Sequence, residues 1–286
     1  MASIRSVLAV LAACAAALSL AACGSTTKKG GSQSASAKAC SKGSLSLYKQ
    51  GELTIATDAP AYSPYFVKDE PANGEGFESA VAYAVAEQLG FEHSEVKWVV
   101  EPFDSSYAPG PKSFDFDINE ISITPPREKE VDFSTPYYTD PQGVIVANGS
   151  RYANVKSLAE LKNAKIGVQI GTTSLEATEK LIDPSNQVQV FNDSDDVVSA
   201  FNNHSVEAIV VDLATAFELV EGEAKHAKLA GQFAAPGGDN WGLLLAKHSS
   251  LTPCVNKAIE ALKSDGALAK LNTRWMASST GVPKLD

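Results

Sequence analysis

The alternation of short β-prone runs with stretches of helical spacing is the feature that most constrains the fold of this chain. Leu53–Thr57 is a β-prone run that ends at Asp58. From Phe77 onward, apolar residues recur at helical spacing until Gly90 supplies a stop. The alternation continues to a last predicted helix at 267–276. Strands and helices in this order predict an α/β fold, with parallel-rich sheets covered by helices on both faces.

Two stretches interrupt this regular pattern. Between 114 and 124 the apolar alternation slips, which predicts a strand that bends or breaks before it ends. Pro109-Gly110-Pro111 predicts an irregular segment over 105–111. The remaining predicted strands are 96–100, 165–168, 187–191, 207–211 and 242–246, and further helices follow Ser157, Asp193 and Thr252.

Polar side chains recur just beyond the carboxyl ends of these predicted strands, which is where α/β sheets place ligand sites. Each has an ordinary structural interpretation when taken alone. Asp58 and Asp212 fit turn or helix caps, Thr173 fits an N-cap, and Arg127 fits a solvated partner of a neighbouring glutamate. The set consists of Asp58, Ser122, Arg127, Gln169, Thr173 and Asp212.

The N-terminal segment predicts export. Residues 1–22 contain one early positive charge, Arg5, followed by an apolar run too short to span a bilayer, which is typical of a signal peptide. Small residues before Cys23 resemble a bacterial lipobox, and this resemblance implies cleavage there and a diacylglycerol anchor on the cysteine. Residues 23–44 then form a lipidated flexible tether, because their Ser, Thr, Gly and Lys content supports no core. Ordinary secretion is the alternative.

Two cysteines remain after that processing, Cys40 and Cys254. In an oxidising compartment they predict one disulfide, with two separate buried thiols as the alternative. Removal of Arg5 with the signal segment takes the formal charge from −10 to −11. An acidic chain of this kind argues against a nucleic-acid partner.

The sequence contains no signature of a metal or cofactor site. His93, His204, His226 and His248 have no metal-ligand spacing, so neither a metal nor a cofactor is expected. The chain also lacks a nucleophile elbow and a phosphate-binding loop.

Six segments, in order, resemble the polar-amino-acid-binding family of ABC-transporter solute receptors, the bacterial extracellular solute-binding proteins of family 3. The most specific pair is Ile121–Arg127, which reads Ile-Ser-Ile-Thr-Pro-Pro-Arg, followed by Val131–Tyr138, which contains Asp-Phe-Ser-Thr-Pro-Tyr. The other four segments are Thr57-Asp58 with Tyr62–Tyr65, Gly76–Glu78, Gly167–Thr173 and Val211-Asp212.

This resemblance implies a two-lobed periplasmic-binding-protein fold of type II, in which each lobe is a sheet flanked by helices. Lobe 1 would comprise 45–139 plus 242–286, and lobe 2 would comprise 140–241, with two hinge crossings between them. The implied partners are a small amino acid and a transporter permease, the chain is expected to be a monomer, and the membrane is contacted through the lipid anchor only.

The same resemblance assigns roles to individual residues. Arg127 would hold the ligand α-carboxylate with help from Ser122 and Thr173, because a guanidinium forks onto a carboxylate and stays charged when buried. Asp212 would hold the α-ammonium group, aided by the backbone carbonyl of Glu120.

The ligand side chain would lie between Tyr62 and Phe103, with Asp58 at its far end and Asn119 and Gln169 nearby. A carboxylate at Asp58 disfavours acidic ligands and favours a basic or an amide side chain. Glu120 stands where the family usually has a small residue, and a side chain entering the pocket would strengthen the case for a cation.

One extra residue between Asp58 and Tyr62, and the irregular 105–111 segment, depart from the family pattern. The predicted function is therefore extracytoplasmic amino-acid binding for an ABC transporter rather than catalysis. An exported dehydratase on the same scaffold is one alternative, with Asp58 or Glu120 as its general acid. A sensory receptor is the other, although fusion-type versions are disfavoured by the end of the chain at Asp286.

Overall fold

The computed structural model describes residues 40–276 and 281–286. Two five-stranded sheets, each with helices packed against it, form two α/β lobes. The predicted α/β class is therefore confirmed. The predicted signal peptide and Cys23, the predicted lipidation site, lie outside the described residues. No helix in the described part of the chain is long and apolar enough to cross a membrane.

Lobe 1 is built on a five-stranded sheet. Its strands are β1 (Leu53–Thr57), β2 (Val96–Val100), β3 (Phe116–Asp117), β4 (Val131–Phe133) and β12 (Leu244–Ala246). They are ordered β2-β1-β3-β12-β4, and the parallel pairs β1·β2 and β1·β3 contribute buried apolar side chains to a core with the helices. The helices of this lobe are α1 (Phe77–Gln88), α2 (Phe103–Ser106), α3 (Pro125–Glu130), α7 (Thr252–Ser264) and α8 (Ala267–Trp275).

Lobe 2 is built on a second five-stranded sheet, with a separate apolar cluster on each face. Its strands are β6 (Gln142–Ala147), β7 (Ile166–Gln169), β8 (Gln189–Phe191), β9 (Ala208–Asp212) and β10 (Ala227–Phe233). They are ordered β10-β6-β9-β7-β8. The helices of this lobe are α4 (Thr173–Ala177), α5 (Ser194–Asn202) and α6 (Leu213–Gly222).

Two adjacent strands connect the lobes. The short strand β5 (Tyr138–Thr139) pairs antiparallel with β11 (Asn240–Trp241). The chain passes from lobe 1 to lobe 2 after β5 and returns through β11, so the two predicted hinge crossings are present. Trp241 is fully buried at this crossing and packs against the ring of Tyr138.

The C-terminal tail departs from the predicted division of the chain. The expectation that 242–286 belongs to lobe 1 is wrong for 281–286, because this segment lies on lobe 2. The backbone of Leu285 donates to the carbonyl of Gln232 at 2.8 Å, and its side chain is buried in a lobe 2 cluster. Gly231 provides the room, since a Cβ atom there would lie 2.5 Å from the Leu285 side chain.

Cys40 and Cys254 form the disulfide that was predicted as one of two alternatives. It joins the beginning of the described chain to the N-terminal turn of α7. Cys254 is buried in the core of lobe 1, and Cys40 packs against the same core. The covalent link therefore lies within lobe 1 and leaves the hinge free.

The slip in the pattern over 114–124 corresponds to a real break. Only Phe116–Asp117 pairs as a strand, and the backbone then turns through a left-handed conformation at Glu120, with φ 50°. Ser122 resumes extended pairing as an isolated bridge to Trp241. This kink places the side chains that follow β3 at the boundary between the lobes.

Candidate functional site

A cavity that is partly open to solvent lies between the lobes at the carboxyl ends of β1, β3, β7 and β9. Its volume is about 60 Å³, whereas a single water molecule needs about 10–15 Å³ by the same measure. All predicted ligand-binding residues line it: Asp58, Tyr62, Phe103, Asn119, Glu120, Ser122, Arg127, Gln169, Thr173 and Asp212. The structure thus brings together residues from both lobes that are far apart in the sequence.

Arg127 is the cation of this cavity. It is the third residue of α3, and it is 7 % exposed. Nη1 donates to the carbonyl of Ser122 at 2.8 Å, and Nη2 donates across the cleft to the carbonyl of Gly171 at 3.0 Å. These two hydrogen bonds leave other N–H groups of the guanidinium available for an anion. Burial lowers the pKa of Arg127, but the group remains a cation at neutral pH.

Two aromatic rings of lobe 1 hold this guanidinium in place. Its Cζ lies 5.3 Å from the ring centroid of Phe103 and 4.5 Å from that of Tyr107. The Tyr107 hydroxyl also donates to the carbonyl of Gly171 at 3.4 Å. Tyr107 therefore covers Arg127 and contacts lobe 2 as well, a role that the irregular sequence over 105–111 did not indicate.

Asp212 ends β9, and its side chain makes no capping bond to the helix that follows. Its Oδ1 accepts from Nε2 of Gln142 at 2.8 Å. Burial, and then the carboxylates of Asp140 and Asp239, raise the pKa of Asp212 well above its usual range. Asp212 thus occupies the N-cap position of α6, but the capping interpretation fails for its side chain, whose carboxyl group faces the cavity lining instead.

The hydroxyls of Ser122 and Thr173 meet across the cleft at 3.4 Å. The N-cap of α4 is Thr172, whose hydroxyl accepts from the backbone of Leu175 at 3.2 Å, so the capping interpretation of Thr173 is also wrong. Tyr65 and Thr215 make a second hydroxyl contact between the lobes at 2.9 Å. The two lobes are closed on each other around the cavity.

Asp58 directly follows β1 and is fixed by backbone groups. Its Oδ1 accepts from Ala59 N at 2.7 Å, and its Oδ2 accepts from Phe103 N at 3.3 Å. Burial raises the pKa of Asp58, and the neighbouring carboxylates of Asp104 and Asp193 raise it further. On the opposite wall, Gln169 accepts from the Ser194 hydroxyl at 3.3 Å through its side-chain oxygen.

Glu120 is one of the residues that line the cavity, and carboxylates of both lobes act on its carboxyl group, among them Asp212 and Asp58 of the same lining. Its backbone N–H donates to Oε1 of the fully buried Glu78 at 2.7 Å, and the Tyr137 hydroxyl donates to the same oxygen. Burial, and then the carboxylates of Glu78 and Asp212, raise the pKa of Glu120 well above its usual range.

Several residues that matter to this site were absent from the sequence prediction. The hinge carboxylates Asp140 and Asp239 are almost fully buried beside the cavity, and each has one oxygen without a hydrogen-bond partner in the described structure. Their positions next to the predicted hinge crossings were the available signal. The cavity is also lined by Pro60, Thr172, Ser174, Val210, Val211 and Thr215.

We expect the ligand-free protein to be more stable at pH 5 than at pH 8. Burial raises the pKa of both Glu78 and Asp140 to about 7, whereas an unfolded carboxyl titrates near 4. Between those values the folded state binds more protons than the unfolded state, so the free energy of unfolding falls as the pH rises. The expected difference is about 2–4 kcal/mol, measured by urea unfolding at the two pH values.

Glu78→Gln is the matched control for this pH effect, because an amide oxygen still accepts from Tyr137 and from the backbone of Glu120. The variant should lose part of the pH dependence. Equal stability of the wild-type protein at pH 5 and pH 8 would contradict the assignment of buried, proton-binding carboxyls.

Comparisons with known proteins agree with this geometry. The family model for bacterial extracellular solute-binding proteins, family 3, matches residues 53–278. The L-cystine-binding protein TcyJ of Escherichia coli K12 is 28% identical over 235 residues, which is 80% of this chain and 84% of TcyJ.

Two solved structures are similar over most of this chain. An ancestral arginine-binding protein bound to arginine is 32% identical, with a TM-score of 0.68, over 79% of this chain and 98% of that one. The ancestral amino acid-binding protein AncCDT-1, described as a precursor of cyclohexadienyl dehydratase, is 28% identical. Its TM-score is 0.66, over 79% of this chain and 95% of that one.

Proposed function

This chain belongs to family 3 of the bacterial extracellular solute-binding proteins and has their two-lobed type II fold, and on that premise we propose that it binds an amino acid with a basic or amide side chain. Family membership supports amino-acid binding outside the cytoplasm as part of ABC transport. The finer proposal is that the amino acid binds in the cavity between the lobes and is delivered to a permease.

The charge arrangement of the cavity is the observation that favours this function most. A buried guanidinium on lobe 1, at Arg127, and a half-buried carboxylate on lobe 2, at Asp212, face one cavity. A zwitterionic head group would satisfy both, with its α-carboxylate on Arg127 and its α-ammonium on Asp212. Charge-assisted hydrogen bonds of about 1.5–3 kcal/mol each are sufficient for binding near 1 μM after ordering costs.

Binding and closure are coupled in this proposal. A ligand favours the closed form only through contacts that the open form lacks. Arg127 and Asp212 lie on different lobes, so both can engage one ligand only when the lobes are together. The two-stranded hinge at β5 and β11 permits this movement, and the closed form is then the state offered to a permease.

The division of the chain and its anchoring are also part of the proposal. Lobe 1 comprises 45–139 with 242–276, and lobe 2 comprises 140–241 with the tail segment 281–286. We propose export through residues 1–22 and lipid attachment at Cys23, with a monomer held on the membrane by its acyl chains. Membrane fractionation of the wild type and Cys23→Ser tests the anchor, since only the variant should become soluble.

A binding role without turnover is favoured over a dehydratase. The relatives described above are all named as binding proteins, although AncCDT-1 is described as a dehydratase precursor. Turnover of prephenate or arogenate by the purified protein would support the enzyme instead.

A thermal-shift screen of the twenty amino acids tests the proposed function. We expect arginine, lysine, histidine or glutamine to raise the unfolding temperature, because Asp58 and Glu120 disfavour a negative side chain. Stabilisation by glutamate or aspartate alone would contradict the proposed ligand class. No stabilisation by any amino acid would contradict the function itself.

A further inference from the structure

Glu120 is the carboxylate of the cavity whose partners the proposed binding mode leaves unspecified. The guanidinium of Arg127 would take the ligand α-carboxylate, Asp212 the α-ammonium, and Asp58 the end of the side chain. Glu120 lines the same space, and no described residue forms a hydrogen bond or an ion pair with its side chain. The partner of its carboxyl group is therefore expected to be a group on the ligand.

The backbone at Glu120 is held in an unusual conformation. The residue has a left-handed backbone with φ 50°, a conformation that is unfavourable for a non-glycine residue. Its N–H is held by Glu78, which is itself held by the Tyr137 hydroxyl. A strained backbone that is held by two buried side chains is typical of residues at functional sites.

Acidic groups predominate around Glu120. The charged groups that act on it most strongly are the carboxylates of Glu78, Asp212, Asp140 and Asp58, from both lobes. The cavity lining contains one cationic residue, Arg127, and three acidic residues, Asp58, Glu120 and Asp212. A zwitterion with a neutral side chain has no net charge and leaves this excess of acidic groups unbalanced, whereas a cationic side chain reduces it.

We propose that Glu120 selects an amino acid with a positively charged side chain over its neutral amide counterpart. This inference rests on the proposed function and goes beyond it, because it removes amide ligands from the expected class and names the residue responsible. Glu120 raises the cost of closing the cleft on a neutral ligand, since closure brings Asp212 of lobe 2 towards it and the two acids must then either repel each other or take up a proton. A cation on the ligand offsets that repulsion.

The test compares affinities for two pairs of ligands that are matched in shape and differ in charge: arginine with citrulline, and ornithine with glutamine. Calorimetric titration of the wild-type protein should give at least a 10-fold preference for the cationic member of one pair. In Glu120→Gln that preference should shrink at least 5-fold. The isosteric amide keeps the backbone contact to Glu78, and unfolding of the ligand-free variant checks that it is folded.

Glu176→Gln is the matched control. Glu176 lies on α4 close enough to act on Arg127, but it is outside the cavity lining and is paired with Lys180. This variant removes the same charge from the neighbourhood of the cleft, and its charge preference should stay within 2-fold of wild type. If the preference for the cationic ligand fell equally in both variants, it would reflect the overall negative potential near the cleft and not selection by Glu120. That result would overturn the inference.

The remaining outcomes separate this inference from the proposed function. A wild-type preference for citrulline or glutamine, or an unchanged preference in Glu120→Gln, overturns the inference alone. The same holds if none of the four probes binds while another amino acid does. If no amino acid binds at all, the proposed function fails together with it.

Discussion

Replacing Arg127 with alanine is expected to lower the affinity for the amino acid by about 30-fold to several thousand-fold, while both lobes stay folded. Truncating one partner of a buried charge pair costs about 2–5 kcal/mol, and each 1.4 kcal/mol is a factor of ten in affinity. The effect includes removal of the stacking of Phe103 and Tyr107 on the guanidinium. Titration calorimetry with the amino acid found in the thermal-shift screen measures the change.

Two further variants make the Arg127 result specific. Arg127→Lys keeps the charge but not the planar fork, so it should lose at least about 10-fold in affinity. Arg151→Ala is the matched control, because Arg151 also covers an aromatic ring, at 4.6 Å from Tyr152, but lies at the far end of β6 from the cleft. Unchanged affinity in Arg127→Ala, with the ligand-free unfolding curve intact, would contradict the assigned role.

Gly171→Ala is expected to prevent full closure and to lower the affinity by about 10-fold or more. Gly171 has φ +74°, and a Cβ atom there would lie 2.4 Å from the Tyr107 hydroxyl of the opposite lobe. Its carbonyl also accepts from Arg127, so any retreat of this loop breaks a hydrogen bond of the closed form. A substitution that destabilises the closed form alone lowers the apparent affinity for a ligand that requires closure.

Gly149→Ala separates steric blocking of closure from backbone strain. Gly149 is in the same lobe with φ +75°, but a Cβ atom there meets nothing within 4 Å. Both variants should lose a similar amount of stability, about 1–2 kcal/mol, whereas only Gly171→Ala should lose affinity. Tyr107→Phe should restore binding to Gly171→Ala, because the next ring atom is 3.7 Å away. Equal affinities for Gly171→Ala and Gly149→Ala would contradict the closed geometry.

The elements predicted best from the sequence are those with a clear local spacing of apolar residues. The helix from Phe77, the strand Leu53–Thr57 and the strand Val96–Val100 are found as predicted. No element was predicted for β6, α6 or β10, although all three pack in lobe 2. β6 is buried along most of its length and reads as a continuous apolar run without alternation, so its periodicity gives no signal.

The residues of the cavity were predicted largely from the family resemblance, and their convergence from the rule that ligand sites lie beyond strand carboxyl ends. The structure adds the roles of residues that contact the site from distant segments of the chain. Tyr107 reaches Arg127 and Gly171 from a segment with no regular pattern, and the kink at Glu120 is held by Glu78, which lies 42 positions earlier in the chain. Such contacts have no signature in local spacing.

Calorimetric titration with the best-binding amino acid, its decarboxylated amine and its Nα-acetyl derivative tests most directly whether a zwitterionic head is held across the two lobes. The amine lacks the partner of Arg127, and the acetyl derivative lacks the charge that Asp212 would meet. We predict one site per chain for the amino acid and, at about 2 kcal/mol or more for each missing charge partner, roughly 30-fold weaker affinity for each analogue. An amine or an acetyl derivative that binds as tightly as the amino acid would contradict this account.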